Sequence, residues 1–109
     1  MIRGSCHCGG VTLSVAYPPL WVGSCNCSLC RRLGTLWAYY PKGDVRVEGV
    51  TVGYVQGDRT LSTHHCPTCG CISHWWPLLP DVDRVGVNAR LLDAFDPADV
   101  EVRLLDNAG

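Results

Sequence analysis

Short stretches in which apolar and polar residues alternate recur along the chain, separated by turn residues. Val11, Leu13 and Val15 alternate with threonine and serine until Pro18 and Pro19 end the stretch. A two-residue period of this kind is typical of a strand with one buried face. Comparable patterns predict strands at residues 11–17, 21–24, 36–40, 45–48, 51–56, 60–65, 71–76, 85–88 and 100–105. The chain is therefore predicted to be mostly β, with little or no helix.

Turn residues and composition refine this prediction. Gly49-Val50 separates residues 45–48 from residues 51–56, so we expect these two segments to pair as a hairpin. Residues 93–99 are predicted to form a polar loop or a single helical turn. The chain contains 13 valines but only two glutamates and one lysine. Residues that favour helices are therefore scarce, which agrees with a β fold.

Size and charge limit the possible partners. The chain has 109 residues and a mass of 11.9 kDa, so we predict a single domain over residues 1–109. A formal net charge of −1 without a basic tail argues against a nucleic-acid partner. We see no apolar run of membrane-spanning length and no apolar core of a signal peptide. We therefore expect a cytoplasmic protein with neither a nucleic-acid nor a membrane partner.

Eight cysteines are the most informative feature of the composition. Cytoplasmic thiols are kept reduced, so cysteines in short clusters indicate metal binding rather than disulfides. The three clusters read Cys6-His7-Cys8-Gly9-Gly10, Cys25-Asn26-Cys27-Ser28-Leu29-Cys30 and Cys66-Pro67-Thr68-Cys69-Gly70-Cys71. In the third, proline and glycine favour a turn that directs N–H groups at thiolates, which is typical of a zinc knuckle.

The spacing of the cysteines leaves two ligand assignments open. A tetrahedral zinc site needs sulfurs about 3.8 Å apart. In the first assignment, one site contains Cys6, Cys8, Cys66 and Cys69, and the other contains Cys25, Cys27 and Cys30. In the second, one site contains Cys27, Cys30, Cys66 and Cys69, and the other contains Cys6, Cys8, Cys25 and Cys71. The second follows the commoner Cys-x-x-Cys spacing, but spacing alone does not decide between them.

Four stretches of the sequence together resemble one known family. They are Cys6-His7-Cys8-Gly9-Gly10-Val11, Cys25-x-Cys27-x-x-Cys30-Arg31-Arg32-x-Gly34, Cys66-Pro67-Thr68-Cys69-Gly70 and Val87-Asn88-Ala89-Arg90-x-Leu92-Asp93. In that order they are similar to the glutathione-dependent formaldehyde-activating enzyme family, which is shared with centromere protein V. The resemblance runs from Arg3 to about Leu105. It implies a β-tent of packed antiparallel sheets with zinc knuckles.

The resemblance also implies two zinc ions per chain with different roles. The structural zinc would be bound by Cys6, Cys8, Cys66 and Cys69, and the catalytic zinc by Cys25, Cys27 and Cys30. A zinc with three thiolates is a poor Lewis acid and favours a fourth soft ligand, such as a substrate thiol. The family supplies glutathione as that thiol and formaldehyde as the electrophile.

The predicted activity is that of a zinc-dependent carbon–sulfur lyase. Glutathione or another thiol would add reversibly to formaldehyde or a related aldehyde and give an S-hydroxymethyl adduct. Arg31 and Arg32 follow Cys30 and are predicted to neutralise the anionic zinc complex or bind the carboxylates of glutathione. The alternative is a non-enzymatic zinc-binding module that interacts with another protein. A thiol–disulfide redox protein is less favoured because no βαβ pattern is present.

Other conspicuous residues receive ordinary structural roles. Cys71 is expected to be a small buried apolar residue, and no histidine is assigned as a ligand, although His7, His64 and His65 adjoin ligand cysteines. Asn88 and Arg90 are expected to hydrogen-bond within the sheet. Aromatic residues are expected to build the core and the cleft walls, namely Trp37, Tyr39, Tyr40, Trp75 and Trp76.

Overall fold

The computed structural model describes residues 1–107. Within these residues the chain forms ten strands, one α-helix and three 3-10 turns. The strands are β1 (Ile2–Ser5), β2 (Thr12–Val15), β3 (Trp21–Cys25), β4 (Trp37–Tyr40), β5 (Val45–Glu48), β6 (Val52–Val55), β7 (Leu61–His65), β8 (Ile72–Pro77), β9 (Val85–Asn88) and β10 (Glu101–Leu105). The helix α1 spans Cys30–Leu33, and the 3-10 turns span Lys42–Asp44, Ala89–Leu91 and Pro97–Asp99. The prediction of a mostly β fold with little helix is confirmed, and every segment predicted as a strand overlaps an observed strand.

The strands form two sheets. The small sheet has the order β1-β2-β5 and is antiparallel throughout. The large sheet has the order β10-β3-β4-β9-β8-β7-β6. Its neighbouring strands are antiparallel except β10 and β3, which run parallel. The expectation of packed antiparallel sheets therefore holds for every pair but that one.

The main core lies between the two sheets. Leu13 and Val15 of β2 are buried in one cluster with Val85 of β9 and Tyr40 of β4. Successive residues of a strand point to opposite faces of the sheet, so Tyr39 lies on the other face of β4. This outer face of the large sheet carries Trp37, Tyr39 and Trp75, which line a cavity beside Cys25, Cys27 and Cys30.

The predicted hairpin between residues 45–48 and 51–56 is wrong. β5 pairs with β2 in the small sheet, whereas β6 pairs with β7 in the large sheet. Between them Gly49 has a φ of 107°, and a Cβ at this position would lie 2.1 Å from the carbonyl oxygen of Gly10. The chain therefore passes tightly against the turn between β1 and β2 as it leaves one sheet for the other.

Sequence reasoning does not identify β1 or α1. Residues 2–5 contain one large apolar side chain, so no two-residue period is visible. Pairing with β2 forms the strand, together with a bridge from Gly4 to Leu92. The helix has four residues and ends at Gly34, whose φ of 70° is left-handed. Neither α1 nor any other helix within residues 1–107 has the length and apolar character to span a membrane.

Candidate functional site

Four cysteines meet where two turns of different sheets come together. Cys6 and Cys8 lie in the turn between β1 and β2, and Cys66 and Cys69 lie in the turn between β7 and β8. Their Sγ atoms all lie within 4.8 Å of one another, and Cys8 Sγ is 3.6 Å from the sulfurs of Cys6 and Cys66. Sulfurs around a tetrahedral zinc lie about 3.8 Å apart. This four-cysteine cluster can therefore hold one metal ion, and it links the small sheet to the large sheet.

Backbone N–H groups stabilise negative charge on these sulfurs. The N–H of Thr68 donates to Cys66 Sγ at 3.4 Å. The N–H groups of Cys71 and Cys8 lower the pKa of Cys69 to about 5. These donors favour the thiolate form of Cys69, and thiolates are the form that binds metal.

Three further cysteines form a second cluster at the end of β3. Cys25 is the last residue of β3, Cys30 is the first residue of α1, and Cys27 lies in the loop between them. Their Sγ atoms also lie within 4.8 Å of one another. Burial raises the pKa of Cys30 to about 12. Burial alone would also raise the pKa of Cys27, but the N–H of Cys30 and neighbouring sulfurs lower it. Burial thus opposes ionisation of these thiols. A bound cation would offset this effect, because it holds coordinating thiols in the deprotonated form.

Each sulfur of the three-cysteine cluster also accepts a hydrogen bond. Trp37 Nε1 donates to Cys30 Sγ at 3.4 Å, and the N–H of Cys30 donates to Cys27 Sγ at 3.3 Å. Asn107 Nδ2 donates to Cys25 Sγ at 3.3 Å. Asn107 follows β10, which the parallel pairing with β3 brings alongside Cys25. Outer donors of this kind orient metal ligands and adjust their basicity.

The three-cysteine cluster opens into a cavity of about 350 Å³, here called the cysteine cavity. Besides the three cysteines, its lining consists of Trp37, Tyr39, Asp58, Leu61, Thr63, Trp75 and Asn107. A tetrahedral ion takes four ligands, and the described residues offer three here. The fourth ligand of a bound ion would therefore come from a molecule in the cavity.

Two glycines let large aromatic side chains lie close to the outer face of the large sheet. Gly86 of β9 is directly opposite Trp75 of β8, and a Cβ at Gly86 would lie 1.9 Å from Trp75 Nε1. A Cβ at Gly23 would lie 2.5 Å from Leu105 Cδ1 and 3.1 Å from Tyr39 Oη. The rings of Trp21, Tyr39 and Trp75 follow one another with centroids 5.5 and 6.2 Å apart. Burial raises the pKa of Tyr39 to about 12, so this aromatic row is uncharged at neutral pH.

Comparison with known proteins assigns the chain to a family. The family model of the glutathione-dependent formaldehyde-activating enzyme matches residues 1–102. The chain belongs to this family. The chain is similar to the crystal structure of a Rhodobacter sphaeroides protein, with 32% sequence identity and a TM-score of 0.79. The match covers 93% of this chain and 99% of the Rhodobacter sphaeroides chain. The chain has no significant match among the curated proteins. The resemblance inferred from the cysteine motifs is therefore confirmed.

In this member of the formaldehyde-activating enzyme family, the two arginines after Cys30 lie on the surface of α1. Both Arg31 and Arg32 are exposed, and neither contributes to the lining of the cysteine cavity. Arg32 Nη1 donates to the carbonyl oxygen of Ser28 at 2.7 Å, within the same loop and helix. Any action of these side chains on a ligand in the cavity would therefore be through their charge.

The remaining candidates have partners within the fold. Cys71 is half-buried and packs beside the four-cysteine cluster without joining it. His64 stacks on His74 with ring centroids 4.6 Å apart, and neither belongs to a cysteine cluster. Asn88 Nδ2 donates to the carbonyl oxygen of Ile72 at 2.8 Å, between neighbouring strands of the large sheet. Asn88 thus has the role in the sheet that its place in a strand predicts.

Several residues of the cavity carry no signal in the sequence. Asn107 is 82 positions away from Cys25 and reaches it through the unusual parallel pairing of β10 with β3. Asp58 lies in the turn between β6 and β7, where an aspartate has an ordinary turn role. Leu61 and Thr63 share one face of β7 by their two-residue spacing, but only the order of the strands places that face beside the cysteines.

Proposed function

We propose that the protein is a zinc-dependent carbon–sulfur lyase. A thiol such as glutathione adds to formaldehyde or a related aldehyde. The carbon–sulfur bond forms, the carbonyl π bond opens, and the proton of the thiol ends on the new hydroxyl oxygen. The reverse reaction breaks the carbon–sulfur bond and returns both compounds. Family membership and the open three-cysteine cluster support this activity.

The proposal includes two zinc ions per chain, one in each cysteine cluster. Ligand sets made of thiolates suit zinc. In the four-cysteine cluster the protein supplies all four ligands, which is typical of a structural site. Zinc bound by Cys25, Cys27 and Cys30 would supply a soft cation that keeps a substrate thiol ionised at neutral pH. We also propose a cytoplasmic location, where the eight free thiols stay reduced.

The residues around the three-cysteine cluster have separate tasks in this proposal. Trp37 and Asn107 hold the sulfurs of Cys30 and Cys25 through the hydrogen bonds described above. Tyr39, together with the indoles of the cavity wall, excludes water from the sulfur of the bound thiol. A poorly hydrated thiolate reacts more readily with a carbonyl carbon. Arg31 and Arg32 add positive charge near an anionic cluster.

The observation that carries the proposal is the difference between the two clusters. The four-cysteine cluster supplies all four ligands of a tetrahedral ion, whereas the three-cysteine cluster supplies three and faces the cysteine cavity. We expect elemental analysis to find two zinc ions per chain, and calorimetry to find one glutathione bound. Cys27→Ser should stay folded but lose glutathione binding. Cys69→Ser should unfold, because it opens the cluster that joins the two sheets.

Cys71→Ser is the matched control for these variants. It removes a sulfur from the same part of the chain, but that sulfur belongs to neither cluster. It should keep two zinc ions, the fold and glutathione binding. Two outcomes contradict the proposal: wild-type protein with two zinc ions that binds no thiol, and Cys27→Ser protein that binds glutathione as tightly as wild type.

The alternative function, a non-enzymatic zinc-binding module that binds another protein, is favoured by one observation. β6 is an edge strand of the large sheet, and its apolar side chains are exposed, with Val52 45% and Tyr54 56% accessible. Exposed apolar side chains on an unpaired edge are typical of a protein-binding surface. Two zinc ions without thiol binding would support this alternative.

A further inference from the structure

A second groove continues from the cysteine cavity along the outer face of the large sheet. Its volume is about 420 Å³, and it shares Tyr39, Trp75 and Asn107 with the cysteine cavity. Its own lining adds Trp21, Arg84 and the C-terminal part of β10. A ligand whose sulfur lies at the cysteines therefore has room to extend past the aromatic row, and we call this space the tail groove.

Arg84 is the positively charged residue that lines the tail groove. Its guanidinium carbon lies 4.1 Å from the centroid of the Tyr39 ring, and the side chain is exposed. A cation–π contact holds the guanidinium in place but uses none of its N–H donors. Among residues 1–107, no carboxylate lies within ion-pair distance of Arg84. The donors of Arg84 are therefore free for a ligand.

Two other arginines near the site are engaged in other contacts. Arg103 lies over Trp21 with its guanidinium carbon 4.2 Å from the ring centroid, but it is paired with Glu101. Arg32 donates to the carbonyl oxygen of Ser28 and lies outside both spaces. A planar guanidinium with free donors is suited to bidentate binding of a carboxylate. Of these three arginines, Arg84 alone combines free donors with a place in the groove.

The acidic residue in the same groove is already partly engaged. Asp106 lines the tail groove, and its Oδ1 accepts a hydrogen bond from Asn26 Nδ2 at 3.0 Å. Neither this contact nor the aromatic row uses the donors of Arg84. The tail groove therefore combines an uncharged aromatic wall with one available cation, which fits an extended ligand that ends in a carboxylate.

We propose that the tail groove binds the carboxylate-bearing part of the thiol substrate and that Arg84 is the residue that recognises the carboxylate. This inference rests on the proposed thiol chemistry of the three-cysteine cluster. The substrate class is then an extended thiol with a free carboxylate, of which a thiol peptide is the nearest example. A small neutral thiol reaches the cysteines but makes no contact with Arg84.

The test compares thiols with and without a carboxylate. Binding of glutathione, glutathione dimethyl ester and 2-mercaptoethanol is measured by calorimetry on zinc-loaded wild-type protein and on Arg84→Gln. We expect Arg84→Gln to weaken glutathione binding about 10-fold, as loss of a charge-assisted contact does. Binding of the ester and of 2-mercaptoethanol should be unchanged, because neither carries a carboxylate.

Two further variants show whether charge and position matter. Arg84→Lys keeps the charge without the planar fork and should recover part of the glutathione affinity. Arg46→Gln removes an exposed arginine from β5 in the small sheet and should leave all three affinities unchanged. An equal effect of Arg84→Gln on all three thiols, or no effect on any, overturns the role of Arg84 while the thiol chemistry stands. Failure of the wild-type protein to bind any thiol overturns the proposed function and this inference together.

Discussion

Replacing Gly86 by alanine tests whether the wall of the cysteine cavity depends on the absence of a side chain in β9. The added Cβ would lie 1.9 Å from Trp75 Nε1 and 2.5 Å from its Cδ1 and Cε2. Ordinary contacts between such atoms are about 3.5–4.0 Å, so the indole must move by roughly 1.5 Å or more. Trp75 is half-buried and lines the cavity, so we expect it to move into the space that a substrate would occupy.

Two opposing effects set the change in the free energy of unfolding. Overpacking against the indole costs about 1–3 kcal/mol. Alanine in place of a strand glycine offsets about 0.5–1 kcal/mol of this through the lower entropy of the unfolded chain. We therefore expect Gly86→Ala to lose about 1–2 kcal/mol of stability. Its affinity for glutathione should also fall, because the displaced indole of Trp75 would occupy the cysteine cavity.

A double-mutant cycle with Trp75→Ala separates the clash from other effects of the new methyl group. Urea unfolding is followed by far-UV circular dichroism, since removal of an indole changes the fluorescence. In the Trp75→Ala background, Gly86→Ala should be neutral or slightly stabilising, which gives a coupling energy of about 1–3 kcal/mol. Gly43→Ala is the matched control, because its Cβ would meet nothing within 4 Å. Equal destabilisation by Gly86→Ala in both backgrounds would refute the reasoning.

Two other predictions concern the crossing between the sheets and a buried histidine. Gly49→Ala should destabilise the protein by about 3 kcal/mol in urea, because the left-handed φ and the carbonyl oxygen of Gly10 both exclude a side chain; a loss as small as that of Gly43→Ala would contradict this. Burial, with His64 stacked beside it, lowers the pKa of His74 to about 4. As the pH falls, His74 is therefore protonated in the unfolded chain before it is protonated in the folded protein. Its contribution to the free energy of unfolding is fully present above about pH 6.5. That contribution falls by up to about 3 kcal/mol as the pH drops towards 4. His74→Gln should show a shallower loss over this range, and identical pH profiles for the two proteins would count against it.

The strands could be predicted from the sequence because their signal is local. A two-residue period marks a half-buried strand whatever its partner, and each segment predicted in this way does overlap a strand. Which strands pair with each other depends on distant parts of the chain. The prediction of a hairpin across Gly49 is wrong for this reason. A glycine next to a valine fits a tight turn, but here it permits contact with the backbone of Gly10. The sequence contains nothing that distinguishes these two uses of a glycine.

The cysteines show the same limit for the site. Spacing within a turn identifies a pair of ligands, but whether two pairs meet depends on which turns the fold brings together. The turn after β1 meets the turn after β7 because one belongs to the small sheet and the other to the large sheet packed against it. Recognition of the family motifs anticipated this grouping where spacing left two assignments open. Asn107 and Arg84 could not be anticipated, since neither lies near a cysteine in the sequence.

The positions of the two clusters in the fold agree with the different roles proposed for them, one stabilising and one reactive. The four-cysteine cluster joins turns from two sheets, so its metal would hold together elements that no continuous strand connects. The three-cysteine cluster is built from one short stretch, Cys25 to Cys30, at the end of a single strand. The sheet beneath it is already fixed by β4 and β10 on either side of β3. Exchange of a ligand there would leave the packing of the sheets intact, as the proposed binding and release of a thiol requires.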